Sequence, residues 1–185
     1  MSFIFPMLKK ILLGLAAIIA VFLMYIAFQS PEFTVQRSMV MHARRETVFA
    51  EVNDLRKWDA WSPWAKLDPN AKITFEGPTS GKGAIMTWSG NADIGEGSMT
   101  IVSNEPDNRI DLETKFVKPM EGTNSAQFTF EPIDQQGEDT KVTWTMNGTN
   151  NFVARIFCFL MNGKKMIGDD FEKGLAQLKS VVESK

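Results

Sequence analysis

A chain of 185 residues, 44% of them hydrophobic, is long enough for one domain with a sizeable core. Its formal charge is −2, but residues 1–28 hold Lys9 and Lys10 and no acid, leaving 18 basic against 22 acidic side chains on the rest. That acidic body argues against nucleic acid as a partner, since such binding rests on neutralising phosphates; a single cysteine, Cys158, excludes an internal disulfide framework and a cysteine-built zinc site.

The run "ILLGLAAIIAVFLMYIAF", Ile11 to Phe28, has 18 residues without a charge. As a helix it would be about 27 Å long, close to the hydrocarbon core of a bilayer. A cleaved signal peptide is the competing reading, with an apolar region of about 7 to 15 residues and small residues at the cleavage site. Here the exit reads "MYIAFQSPE", and cleavage after Ala27 would place bulky Tyr25 where a small residue is wanted. Residues 1–30 are therefore expected to be an uncleaved single-pass anchor. Lys9 and Lys10 favour a cytoplasmic N-terminus, and so an extracytoplasmic domain over 31–185, although Arg37, Arg44 and Arg45 weaken the asymmetry.

After "QSPE" the pattern changes to period two. "FTVQRSMVMHA" (33–43) reads as a strand, and "RRETVFAEVNDL" (44–55) as a short helix with Val48, Phe49 and Val52 on one face. "LRKWDAWSPWAKLDP" (55–69) follows, with Trp58, Trp61 and Trp64 spaced by three; Pro63 and "DPN" limit any helix there to a turn or two, and the spacing suits a 3₁₀ turn. From 72 to 150 the chain reads as six strands: "KITFE", "AIMTWSGN", "EGSMTIVSNE", "RIDLETKFV", "SAQFTFEPI" and "TKVTWTMNG". The breaks between them, such as "GPTSGKG" and "PDN", are short enough for hairpins and an antiparallel meander. Helical spacing then returns at Ile156, Leu160, Ile167, Phe171, Leu175, Leu178 and Val182. Gly163 and Gly168 suggest a kink or restart, with Asp169 and Glu172 as an N-cap pair.

The resulting order is strand, short helices, six strands, long helix: an α+β chain in which the terminal helix has the only apolar stripe long enough to cover the sheet. This order resembles the helix-grip (START-like) fold of the SRPBCC superfamily, specifically the proteins labelled polyketide cyclase/dehydrase. The resemblance covers roughly residues 33–183 and is sharpest in "WDAWSPWAKLDPN", "GPTSGKGAIMTWSGN", "GEGSMTI" and "MIGDDFEKGLAQLK", which look like signatures of a membrane-anchored bacterial branch. It implies a curved antiparallel sheet wrapped on a long C-terminal helix, a cavity for a hydrophobic ligand between them, and a bacterial inner-membrane location.

Motifs for chemistry are sparse. "GPTSGKG" has three residues between Gly77 and Gly81 where a phosphate loop needs four, and a strand follows instead of a helix, so it reads as a hairpin turn. His42 is the only histidine, beside Arg44 and Arg45, with no visible nucleophile or orienting carboxylate. No carboxylate loop of calcium-binding type appears. Family cyclases rely on polar pocket residues, but the only tyrosine, Tyr25, lies in the anchor, and nothing selects Arg109 or Thr87 for the task. No catalytic residue, metal or cofactor is expected.

Alternation places Met86 and Trp88, Met99 and Ile101, Leu112 and Phe116, Phe128 and Phe130, and Val142, Trp144 and Met146 on one sheet face. Such a face builds either an ordinary core or, with pliant Met, the wall of an adaptable pocket. The expected ligand-binding set is Trp58, Trp61, Trp64, Met86, Trp88, Met99, Leu112, Phe116, Phe128, Trp144, Met146 and Phe171, with the tryptophans at the pocket rim or capping the core. "NFVARIFCFLMNGKK" (151–165) adds a second apolar segment followed by lysines, a combination suited to lipid headgroups. The expected function is a membrane-anchored module binding a lipid or other hydrophobic small molecule. The alternatives are a cyclase- or dehydratase-like enzyme using polar groups in the same cavity, and a protein-interaction domain with an ordinary core.

Overall fold

In the computed structural model, which describes residues 4–184 and the side chains of 7–184, the uncharged run is one helix, α1 (Ile4–Phe28). Its stretch Met7–Phe28 has mean hydropathy 2.8 and is long and apolar enough to cross a membrane, a property shared by membrane anchors and signal sequences. Apart from buried Ile26 and half-buried Phe22, that stretch is exposed.

β1 (Glu32–Met41) leads to α2 (Arg45–Val52), which buries Val48, Phe49 and Val52 as their spacing requires, together with Glu51. A 3₁₀ turn, Leu55–Ala60, follows; the Asp54 carboxylate accepts from the Arg56 N–H at 3.0 Å, satisfying a donor that the turn leaves free. Six strands come next: β2 (Lys72–Glu76), β3 (Ile85–Ser89), β4 (Glu96–Glu105), β5 (Arg109–Lys118), β6 (Gly122–Pro132) and β7 (Thr140–Thr149). The "GPTSGKG" segment is the β2–β3 connection, a turn and not a phosphate loop. Gly77 adopts φ +76° there, and a Cβ on it would collide with the Gly83 carbonyl, so the reversal needs glycine.

The seven strands form one antiparallel sheet in the order β1-β7-β6-β5-β4-β3-β2. β2 to β7 are the expected meander. β1 instead crosses to the far edge and pairs with β7 from Glu32↔Thr149 to Met41↔Thr140, a long-range choice that local alternation does not encode. Two helices close the chain, α3 (Phe152–Leu160) and α4 (Gly163–Glu183). The molecule is thus an α+β helix-grip fold, an open curved sheet with a long C-terminal helix, preceded by an apolar N-terminal helix.

α4 covers the sheet with Phe171, Leu175, Leu178 and Val182, all buried. Gly174 lets the helix come close: a Cβ there would lie 3.0 Å from both Trp144 Cζ3 and Pro63 Cδ. The expected helix restart is found, but earlier than the Asp169–Glu172 pair suggested. Chain direction changes at Asn162, whose left-handed φ of 53° an Asn tolerates, and α4 begins at Gly163 against Cys158. Asp169 is inside the helix, 2.6 Å from Lys165 one turn back, and Glu172 pairs with Arg37 of β1. Gly168 is helical too, and the Arg37 guanidinium occupies the space that a side chain there would fill. Leu160, placed on the core stripe by periodicity, is exposed.

Candidate functional site on the concave sheet face

Strand register brings the expected face together. Met86 pairs with Met99, Ile101 with Leu112, Leu112 with Ala126, Ala126 with Met146, and Phe128 with both Ile110 and Trp144. The face has two unequal ends. Towards the C-terminal half of α4 it is filled. Trp144 stacks on Phe171 at 3.9 Å between ring centroids and on Phe128 at 4.8 Å; Trp58 and Trp61 lie 4.5 Å apart and meet Trp144 edge-on at 6.0 Å. Each of these five rings is buried.

The rim reading is therefore corrected for Trp58 and Trp61, which are interior residues. Their polar atoms explain why they can be: the Trp58 indole N–H donates to the Val52 carbonyl at 2.9 Å, and that of Trp61 to the Glu51 carbonyl at 3.4 Å. Both acceptors are in the last turn of α2, so the 3₁₀ turn and α2 lock into one lid over the core. Glu51 is itself buried, its carboxylate 2.9 Å from Lys57 Nζ. Trp64 differs. It is half-buried, edge-on to Trp144 at 5.7 Å and to Phe171 at 6.4 Å. The Trp144 indole N–H has no hydrogen-bond partner among the described residues.

The other end, towards β3 and the start of β1, is only partly covered. Met86, Trp88 and Phe116 are half-buried beside buried Met99, Leu112 and Met146. The Trp88 ring lies over Gly97, whose missing side chain makes the room, and meets Phe116 edge-on at 5.9 Å. Its N–H donates to the Ile94 carbonyl at 3.0 Å, fixing the ring in place. Two polar side chains interrupt this apolar end. Thr114 pairs with Met99 on one side and Asn124 on the other, and the Asn124 amide reaches Met146 Sδ at 3.9 Å. Sequence reasoning overlooked both, although the alternation that selected Leu112 and Phe116 puts Thr114 between them on the same face. Arg109 and Thr87 lie on the opposite face, Arg109 between Glu105 and Asp111.

Two concavities lie elsewhere. One, of about 510 Å³, is a polar surface hollow at Arg44, Arg45, Glu46 and the turn at 134–137. The other, of about 410 Å³, is walled by the end of α1, by α3 and by the start of α4. Phe33 and Ile167 belong both to its wall and to the core or its edge, so it adjoins the partly covered end of the sheet. His42 is remote from both the face and this cavity, at the other end of β1 from Phe33. Its Nδ1 is 2.8 Å from Asp139 Oδ1, and the hydrogen bond to that carboxylate raises its pKa above the ordinary histidine value. Among the described residues no three His, Cys, Asp or Glu side chains gather as a metal site requires.

The family model described as polyketide cyclase / dehydrase and lipid transport matches residues 32–183. No curated protein matches the chain in sequence. Among solved structures, protein CV1439 from Chromobacterium violaceum is similar at a TM-score of 0.56 and 17% identity, over 81% of this chain and 96% of that one. A Thermobifida fusca protein gives 0.57 and 19%, over 79% and 90%. The di-domain aromatase/cyclase BexL of the BE-7585A biosynthetic pathway gives 0.59 and 12%, over 86% of this chain and 53% of that one. At these identities the likeness is one of fold.

Proposed function

This chain belongs to the polyketide cyclase / dehydrase and lipid transport family, and from that premise we propose that it is a membrane-anchored module binding a lipid or other hydrophobic small molecule. In this reading residues 1–30 are the anchor and 31–185 the binding domain, held on the extracytoplasmic side of a bacterial inner membrane. The observation that carries the reading is the partly covered end of the concave face. Met86, Trp88 and Phe116 leave apolar surface accessible beside Met99 and Met146, while half-buried Asn124 and buried Thr114 supply an amide and a hydroxyl. An apolar ligand gains from burial there in proportion to the area it covers, and pliant Met side chains let the wall adjust to its shape. The two polar groups would orient a ligand's polar end.

Because the interior under α4 is packed with rings, binding is assigned to this end, with Trp64 and Phe171 at its inner boundary and Trp58, Trp61, Phe128 and Trp144 as its supporting wall. Native mass spectrometry of the full-length chain released from mild detergent tests the assignment. A retained lipid-sized mass is expected in the parent. It should persist in Thr87→Asp, on the opposite face of β3, and disappear in Met86→Asp. No adduct in the parent, or equal behaviour of the two variants, sinks the reading. Retention with chemical conversion of the bound molecule would favour the cyclase-like alternative instead.

A further inference from the structure

The nine residues of α3 carry a feature that neither the core nor the concave face uses. Val153, Phe157 and Leu160, at helical steps of four and three, form a stripe pointing away from the domain, with Val153 64% and Leu160 67% exposed. The opposite side is held: Ala154 is buried, and Cys158 packs on Gly163 of α4. On a water-facing surface this pattern is inverted.

Its neighbour explains the inversion. α3 packs beside the last turns of α1, with the Phe159 ring 5.7 Å from Phe22 and 5.8 Å from Tyr25. Arg155 fixes the pair: its Nη1 donates to the carbonyls of Ile26 at 3.2 Å, Ala27 at 3.4 Å and Gln29 at 2.8 Å. These carbonyls lie at and just beyond the C-terminus of α1, where the helix dipole favours a cation. Phe22 lies six residues before the end of α1, about 9 Å along its axis. If Met7–Phe28 spans the hydrocarbon layer, the end of α1 marks the layer's boundary, and the Phe159 ring lies inside it. The depth agrees with the roughly 5–10 Å to which amphipathic interfacial helices bury their apolar face. Lys164 and Lys165, exposed just beyond the turn at Asn162, then stand where anionic headgroups would be.

We propose that α3 is a second membrane-embedded element, an interfacial helix seated in the leaflet on the domain's side, with Val153, Phe157 and Leu160 against acyl chains. This rests on the reading of α1 as a membrane span. The occupant of the apolar stripe is thus lipid: the stripe lies beside a lipid-length helix and is followed by the exposed cation Lys164, with Lys165 next to it paired to Asp169. The cavity between α1, α3 and α4, with Arg155 and Lys164 in its wall, then lies at the headgroup layer and presents the Phe33 end of the domain to the bilayer.

The test uses full-length protein in vesicles of dioleoyl phosphatidylcholine and dioleoyl phosphatidylglycerol. In a Cys158→Ser background, single cysteines at Leu160, Val21 or Gln135 carry an environment-sensitive NBD label, and lipids bearing a nitroxide high on the acyl chain act as quencher. The expected result is blue-shifted, quenched emission from Leu160→Cys and Val21→Cys, and neither from Gln135→Cys. Val153→Cys should repeat the Leu160→Cys result, which guards against local distortion at one position. Quenching at Val21 without quenching at Leu160 or Val153 overturns the proposal while leaving the span intact. Loss of quenching at Val21 as well removes the span and the proposal with it. Disulfide cross-linking between unlabelled Leu160→Cys copies, with no lipid quenching at that position, overturns it in favour of a second copy of the chain as occupant.

Discussion

Under α4, Trp144 lies between Phe128 and Phe171 with Trp58 and Trp61 edge-on, and the rings leave little room between them; beside β3, Met86, Trp88 and Phe116 on the same face remain half-buried. Both ends come from the same alternation of apolar residues. What separates them is the second layer. The C-terminal half of α4, α2 and the 3₁₀ turn cover one end, and Gly174 lets α4 approach to ring-contact distance. β2, at the far edge of the sheet, is exposed along its whole length. A strand pattern therefore says which face is apolar, while the covering layer decides whether that face is core or binding surface.

The largest effects should come from the covered end. Trp61→Ala removes a fully buried indole that packs on rings of three elements: Trp58 in the 3₁₀ turn, Phe128 in β6 and Trp144 in β7. It is expected to cost about 3–5 kcal/mol of stability, read as a lower denaturation midpoint. Ligand retention should fall only as far as unfolding explains. A small stability change with abolished binding would reverse the roles assigned to the two ends.

Trp88→Ala probes the other end. Here the expected change is in affinity, about 1–3 kcal/mol, the scale of a partly buried aromatic contact with a ligand. Titration with a fatty acid followed by native mass spectrometry reads it, beside the denaturation midpoint of the same variant. If the midpoint falls as far as in Trp61→Ala and affinity holds, the β3 end is core as well.

The glycines of α4 sharpen the contrast. At Gly174 an added methyl meets the Trp144 ring and the Pro63 ring, neither of which can swing aside. Gly174→Ala should cost about 1–3 kcal/mol through overpacking. At Gly168 it meets the end of the Arg37 side chain, which can move. There the gain in helix propensity, about 1 kcal/mol, offsets the loss of a partly exposed Arg37–Glu172 pair worth about 0–1 kcal/mol. The midpoint of Gly168→Ala should therefore stay near the parent's. Equal losses at the two sites would mean that α4 packs as tightly at its start as over Trp144.

Much of this was legible in the residues, and the failures are instructive. Six strands could be read within a few positions because alternation is a local signal, and β2 and β4 match their readings end to end. The pairing of β1 with β7 was not legible, since it joins residues as far apart as Glu32 and Thr149 and depends on the whole sheet. The burial of Trp58 and Trp61 was ambiguous for a related reason. The indole N–H groups of these two rings are satisfied by the carbonyls of Val52 and Glu51, backbone atoms that carry no residue signature. Leu160 was placed on the core stripe because helical periodicity reports an apolar face without reporting whether protein or lipid lies against it. Thr114 and Asn124 were legible by position, but a search for apolar residues passes over the polar ones between them.

The smallest expected effect lies away from both ends, at His42 and Asp139, and it tests whether the far end of β1 contributes through charge. The hydrogen bond from His42 Nδ1 to the Asp139 carboxylate raises the histidine pKa, with smaller attraction from Glu138 and Glu183. A raised folded-state pKa means that the folded protein holds the proton more tightly than the unfolded chain. The stabilisation is then full below the unfolded value, about 6.5, and is lost as pH rises through the folded value. The melting temperature should accordingly rise slightly as pH falls from about 8 to about 6, and the same slope should be absent in Asp139→Asn. Both side chains are solvent-exposed, so the shift should be small and should shrink with added salt. A slope that survives Asp139→Asn would assign the pH dependence to another group. Because His42 is far from the concave face, ligand retention by His42→Ala should match the parent's; a loss of more than about tenfold, or about 1.4 kcal/mol, with unchanged folding would bring this corner of the sheet into the functional site.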